Sequence, residues 1–360
     1  MVEEKKKVLL VDDSALMRRV LCDIIESDER FCVQDRAING LDAFDLLTRK
    51  TYDAVVLDVN MPKMTGVELL RELNKRKIPA KIMMASTDTS QGAKITLECL
   101  ELGAIDFVHK PELPAKARED DFREHFLNTL VAVTMSRPPV YDGKPMLEEK
   151  TVSCKVLDMV RLHNDAISDN QIVAIASSTG GPKALHSVIP QLPKNLRAPV
   201  LIVQHMPFGF TKTLAERLDS LSELRVKEAE EGEALEAGTV YVARGGSHMN
   251  IVAKHGQHRI HYSDEPPREG VKPCANYMYE SLAECGYSKV VCVVLTGMGA
   301  DGTKGIVHLK EKKQTHVIAQ DEASCAVFGM PKSVIKAEQA DQVIGLQSVA
   351  QEIIMNVGVR

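Results

Sequence analysis

The sequence predicts two α/β units in one chain: an N-terminal five-stranded parallel sheet, and a C-terminal doubly wound α/β unit with a β-rich insertion. Three observations carry this. A length of 360 residues suits two or three domains, each with its own core. Strand-length apolar runs alternate with helix-length segments in both halves. The runs are continuous, as in VLLV and AVVL, which is the pattern of strands buried on both faces of a parallel sheet.

The first unit reads in order as follows. Residues 7–11 form a short apolar strand that stops at Asp12. Residues 15–25 have helical spacing, with Leu16, Val20, Leu21, Ile24 and Ile25 on one side. A weaker strand covers 31–37 and a helix 40–48. Strand 54–57, helix 66–74, strand 81–85, helix 91–102 and strand 107–108 complete the alternation. Residues 116–135 form a further helix with Phe122, Phe126, Leu130 and Val133 as its stripe, docked on either unit. Pro138, Pro139, Gly143 and Pro145 then mark a linker. The expected divisions are a first domain over 1–125, a linker over 126–168 and a second domain over 169–360.

In the second unit, strand-like runs lie at 172–177, 200–204, 239–243, 250–253, 258–262, 289–295 and 316–319. Helical stretches lie at 182–190, 210–221, 274–284, 303–312 and 331–338, and the pieces between 225 and 262 read as the β-rich insertion. There are 45 basic and 50 acidic residues, a net charge of -5, which argues against a nucleic-acid partner. No apolar run is long enough for a membrane span, and the N-terminus does not read as a signal peptide. The 8 cysteines are scattered without a CxxC pair, as expected of reduced thiols in a cytoplasmic protein.

Several acids of the first unit stand at strand ends. Asp12 and Asp13 follow the first strand, Asp58 the third, Ser86 and Thr87 the fourth, and Lys110 the fifth. An open parallel sheet gathers these ends on one edge, where ligands bind. Three carboxylates there call for a hard divalent cation, and Mg²⁺ fits oxygen ligands. A carboxylate is also a nucleophile able to form an aspartyl phosphate. Helix capping by Asp13 or Ser14 is the plainer alternative, but it does not account for Asp58 and Lys110.

LLVDDS, AVVLDVNMPKMTG and DFVHKP resemble the response-regulator receiver domain, over about residues 5–125. The resemblance implies a flavodoxin-like fold, Asp58 as phosphoacceptor, and Mg²⁺ held by Asp12, Asp13 and Asp58. It implies Ser86 and Lys110 as phosphoryl contacts, Phe107 as the aromatic at the switch position, and a histidine kinase as donor. Phe107 has no hydroxyl, so any switching there works by packing.

The second unit has its own strand-end residues. IVAIASSTGG ends a strand in hydroxyls and glycines, and Pro182 suits the first turn of a following helix. The Gly-rich turn equally fits a bound phosphate, although it lacks GxGxxG and GxSxG. His205 follows VLIVQ, and Asp301 lies in TGMGADG after another strong strand. Nucleophile, base and orienting acid would then come from three strand ends of one sheet. His248 competes as base. A zinc site from His255, His258 and His261 has no nearby thiolate to support it.

ASSTGG, QHMPFGFT, LTGMGADG and AQDEASCAVFGMP resemble the catalytic domain of the chemotaxis protein-glutamate methylesterases, over about residues 170–355. The resemblance implies Ser178 as nucleophile, His205 as base, Asp301 as orienting acid and the Met298 N–H as an oxyanion donor. The family often shows GASTGG, so Ser177 is a neighbouring decoy hydroxyl. The implied reaction hydrolyses glutamyl methyl esters on a chemoreceptor's cytoplasmic domain, releases methanol and needs no metal. Glutamine deamidation is a possible companion activity. A receiver placed before such a domain is expected to cover the Ser178 edge until Asp58 is phosphorylated. The rival readings are a receiver-regulated nucleotide- or partner-binding effector without catalysis, and a small-molecule esterase.

Overall fold

The computed structural model describes residues 4–87, 90–111, 120–138, 170–254 and 256–360. The expected linker from 139 onward lies outside the described residues. The chain divides into two units, Met1–Glu148 and Glu149–Arg360.

The first unit holds strands β1 (Lys6–Val11), β2 (Phe31–Ala37), β3 (Ala54–Asp58), β4 (Ile82–Thr87) and β5 (Asp106–Lys110). All pair in parallel in the order β2-β1-β3-β4-β5. Parallel neighbours need crossovers, and the helices Ala15–Glu26, Gly40–Leu47, Gly66–Arg76 and Ser90–Glu101 supply them. Strand order reverses between β1 and β3. The carboxyl ends of both strands therefore flank the crevice where Asp12 and Asp58 stand.

Two details differ from the sequence reading. Leu16 is 58% exposed and Met17 takes the buried place, on the face that carries Val20, Leu21, Ile24 and Ile25. The helix Asp120–Met135 crosses the expected boundary at 125. Its Phe126, Leu130 and Val133 are buried with Val8, Leu10, Val56 and Val108, so the helix belongs to the first core.

The second unit is a seven-stranded parallel sheet. Its strands are β6 (Gln171–Ser177), β7 (Val200–Gln204), β8 (Arg225–Glu228), β9 (Thr239–Val242), β12 (Lys289–Val294), β13 (Gln314–Gln320) and β14 (Gln342–Ile344). Their order is β14-β13-β12-β6-β7-β9-β8. β10 (His248–Lys254) and β11 (Gln257–Ser263) form a separate antiparallel hairpin. The insertion is thus narrower than the segment 225–262. β8 and β9 extend the main sheet because they pair in parallel from β7 outward. β6 is central, with β12 on one side and β7 on the other, so the chain winds outward from it in both directions. Ser178, His205 and Asp301 follow these three adjacent strands.

Ile172, Ala174, Leu201, Tyr241, Cys292 and Val294 form the centre of the second core. Among the described residues no helix is long and apolar enough to cross a membrane.

Phe126→Ala tests the placement of the last helix in the first unit. It should destabilise that unit by about 3–5 kcal/mol, as for other buried Phe truncations. Hydrogen exchange in denaturant would show protection falling in β1, β3 and β5 and not in β6, β7 or β12.

Candidate active site and phosphoacceptor site

The first site is built on charge. Lys110 Nζ lies 3.0 Å from Asp12 Oδ2 and 2.7 Å from Asp58 Oδ1, and all three side chains are buried. Burial pushes the Asp58 carboxyl up, Lys110 pulls it down and Asp12 pushes it up again. The Val59 N–H donates to Asp58 Oδ1 at 2.8 Å, which fixes the rotamer. Asp12 accepts the Ser14 N–H at 2.8 Å, and Ser14 itself caps the following helix. Capping therefore falls to Ser14, and Asp13 stands exposed beside the pair. One oxygen from each of Asp12, Asp13 and Asp58 lies within 4.8 Å of the others, a spacing that one cation can bridge. Gly66 is required nearby, since a Cβ there would stand 2.5 Å from the Asp58 carbonyl oxygen. Ser86 and Phe107 are both buried. Ser86 lies one residue beyond Ala85, the register partner of Asp58.

The second site is built on the buried Asp301. Its Oδ2 accepts from His205 Nε2 at 2.7 Å and from the Ala275 N–H at 2.6 Å. Its Oδ1 accepts from the Asn276 N–H at 3.0 Å, the Gly302 N–H at 2.8 Å and the Cys274 thiol at 3.0 Å. Ala275 and Asn276 open the helix Ala275–Ala283, so the carboxylate meets free N–H groups at a helix N-terminus. Desolvation alone would raise the Asp301 pKa. The hydrogen bond and charge of His205, then the Cys274 and Ala275 donors, outweigh it and hold the group at about 2. Asp301 is thus an anion that orients His205. Because Nε2 is engaged there, Nδ1 is the nitrogen left to take a proton.

Ser177 and Ser178 separate cleanly. Ser177 is buried, and its hydroxyl donates to Gln204 Oε1 at 2.7 Å. Ser178 is partly exposed, in the turn between β6 and the helix Gly181–Val188. Its N–H donates to the Thr296 carbonyl at 3.0 Å, and the His205 N–H donates to the Ser177 carbonyl at 3.1 Å. The turn is therefore pinned to both neighbouring strand ends. No hydrogen bond joins the Ser178 hydroxyl to His205 among the described residues, and such bonds often tighten only when substrate binds. A Cβ on Gly297 would stand 2.7 Å from Ser178 Cβ, so the first glycine of TGMG is required for that loop to pack on the serine. Met298 follows directly, in a turn that Gly299 continues with φ 86°.

His248, His258 and His261 have structural partners. His248 is buried, its Nδ1 accepting the Cys274 N–H at 3.1 Å and its Nε2 facing the Pro266 carbonyl at 3.3 Å. Both nitrogens are occupied, which removes it as the competing base. His258 accepts the Gly286 N–H and stacks on Tyr287, and His261 pairs with Glu231. His255 lies outside the described residues. The only metal-type cluster among the described residues is the Asp12, Asp13 and Asp58 group.

Sequence reasoning passed over Cys274, Thr296 and Gln204. Thr296 Oγ1 donates to the Thr179 carbonyl at 3.0 Å and accepts the Val327 N–H at 2.9 Å, joining three loops of the site. Its place directly before GMG was the available signal. Nothing local marks Cys274, which meets Asp301 only through the fold.

Comparison with known proteins gives the family of each unit. Residues 173–353 match the family described as CheB methylesterase, and residues 8–119 match the response regulator receiver domain. A protein-glutamate methylesterase/protein-glutamine glutaminase of Halalkalibacterium halodurans is 41% identical, over 98% of this chain and 99% of that protein. The chain belongs to the protein-glutamate methylesterase family. A Syntrophomonas wolfei relative of the same description is 39% identical over 97% of this chain and 99% of its own length. The crystal structure of the Thermotoga maritima CheB methylesterase catalytic domain is 48% identical, with a TM-score of 0.50, covering 51% of this chain and 96% of that one. Family membership makes the chain a hydrolase with a response-regulator receiver in front.

The Asp301 carboxylate sets an acid limit on the second unit. Its folded pKa of about 2 lies below the ordinary 3.8, so its contribution is complete above 3.8 and is lost as pH falls toward 2. The loss should be about 2 kcal/mol at 1.36 kcal/mol per unit. Denaturation of the second unit between about pH 5 and pH 2 should show this slope, and Asp301→Asn should flatten it.

Proposed function

We propose that this chain hydrolyses glutamyl γ-methyl esters on the cytoplasmic domain of chemoreceptors, under control of phosphorylation at Asp58. The observation that carries the reading is the contact of His205 with the buried Asp301, at 2.7 Å, on the sheet edge that presents Ser178. Ser178 Oγ attacks the ester carbonyl while His205 takes its proton at Nδ1. Asp301 stabilises the imidazolium and remains ionised. The Met298 N–H supports the oxyanion. Collapse of the tetrahedral intermediate expels methanol, protonated by His205. Water, deprotonated by His205, then attacks the acyl-Ser178 and restores the free serine and a glutamate carboxylate. A receptor glutamine would follow the same path with ammonia as leaving group, in keeping with the glutaminase named in the relatives.

In the receiver, which the sequence assigns to 1–125 and which we extend through Met135, Asp58 is the phosphoacceptor. A phosphohistidine on a histidine kinase is the donor. The cluster of Asp12, Asp13 and Asp58 fits a divalent oxygen-liganded ion. Mg²⁺ bound there would offset the charge of an incoming phosphoryl group. Lys110, already against Asp58, and Ser86 would contact the phosphoryl oxygens. Phe107 would respond by repacking.

Two measurements test this. Methanol release from a methylated receptor fragment should fall by roughly 10³-fold or more in Ser178→Ala, with the protein still folded. Release retained in that variant would remove Ser178 as nucleophile. Asp58→Asn should abolish the rise in release produced by a phosphoryl donor while leaving basal release in place. A rise that survived would place the control elsewhere.

A further inference from the structure

The end of β7 carries a side chain that the reaction scheme does not use. Gln204 is buried, and its carboxamide lies between the two residues that must meet. Its Nε2 donates to the Ser178 carbonyl at 3.0 Å and to the His205 carbonyl at 3.2 Å. Its Oε1 accepts from the Ser177 hydroxyl at 2.7 Å. The amide orientation is dictated by its partners, because two carbonyl oxygens can only accept and must face the NH₂. Gly181 completes the cradle. A Cβ there would overlap Gln204 Oε1 and stand 2.9 Å from Ser177 Cβ. The second glycine of STGG therefore serves the glutamine as much as the turn.

We propose that Gln204 is a positioning residue for the esterase reaction. This rests on the reading of Ser178 and His205 given above. One amide group sets the spacing between the backbone of the nucleophile and that of the base. The His205 N–H to Ser177 carbonyl bond, at the end of the β6–β7 pairing, is a further link between the two segments. Without the glutamine donors, the Ser178 carbonyl keeps only the Gly181 N–H at 2.7 Å, the His205 carbonyl loses its named donor, and the turn carrying Ser178 relaxes. Substrate binding on the open face is untouched, so the effect belongs in kcat rather than KM.

The test uses the full-length chain and a receptor fragment carrying glutamyl γ-methyl esters. Gln204→Met keeps the length and removes every polar bond. It should lower kcat by roughly 10- to 100-fold, the scale of a misplaced reacting group, with KM within about twofold and a cooperative thermal transition. Gln204→Glu keeps the shape and the acceptor for Ser177 but loses both donors. Its kcat relative to wild type should rise as pH falls, because a protonated carboxyl returns one O–H donor to a carbonyl. A purely structural role predicts a flat ratio. A folded Gln204→Met with unchanged kcat would overturn the proposal, as would a flat ratio for Gln204→Glu. If neither variant folds, Gln204 is a folding requirement and the proposal also fails. Ser178→Ala on the same substrate separates the two layers. If that variant retains release, the esterase reading itself has failed and takes this inference with it.

Discussion

Everything in the second site hangs on a carboxylate kept ionised inside the protein. An isolated buried carboxylate would take up a proton. Asp301 avoids this through the Ala275, Asn276 and Gly302 N–H groups, the Cys274 thiol and His205. Those donors come from the start of one helix and the turn before another, so the buried anion is stabilised only once the sheet and both helices are in place. The charge that orients the base is therefore held where it is by tertiary structure. The His205 ring is held as a consequence, and the nitrogen facing away from Asp301 becomes the one available for chemistry.

The first unit solves a related problem with the opposite device. Asp12 and Asp58 are buried together, and their repulsion is met by the Lys110 ammonium from the end of β5, across β4 from Asp58. A fixed cation leaves room for an exposed Asp13 and for a mobile ion. The two units share a layout, a parallel sheet whose winding reverses at a central strand. In each, the reacting groups stand at the carboxyl ends beside that reversal. One crevice gathers three carboxylates around a lysine. The other isolates a single carboxylate against a histidine.

Much of this was legible in the sequence because strand ends are legible. Continuous apolar runs such as VLLV, AVVL and KVVCVV announce buried parallel strands, and the first polar residue after each is a site candidate. Asp12 and Asp58 are such residues, and Lys110, Ser178, His205 and Asp301 lie one to five residues further along, where the resemblance singled them out. What escaped was marginal locally. β8 and β14 are 4 and 3 residues long, and they form only because an existing edge offers them partners. The helix Leu346–Val357 did carry a signal, with Val349, Ala350, Ile353, Ile354 and Val357 at helical spacing, and it was overlooked. Cys274 and Gln204 were hidden for another reason. Their partners are distant in sequence or are backbone carbonyls, and neither leaves a pattern. Ser177 and Ser178 are adjacent and chemically identical. Burial of Ser177 against the Gln204 acceptor, with Ser178 left partly exposed, distinguishes them.

The central claim is that the sheet edge delivers one reactive hydroxyl, that of Ser178, to His205. Covalent labelling of the intact chain with a fluorophosphonate, followed by peptide mapping, tests it directly. The account predicts a single modified residue, Ser178, with labelling lost in His205→Gln and with Ser177 unmodified. Labelling at Ser177, or labelling of Ser178 that persists at the same rate without His205, would contradict it.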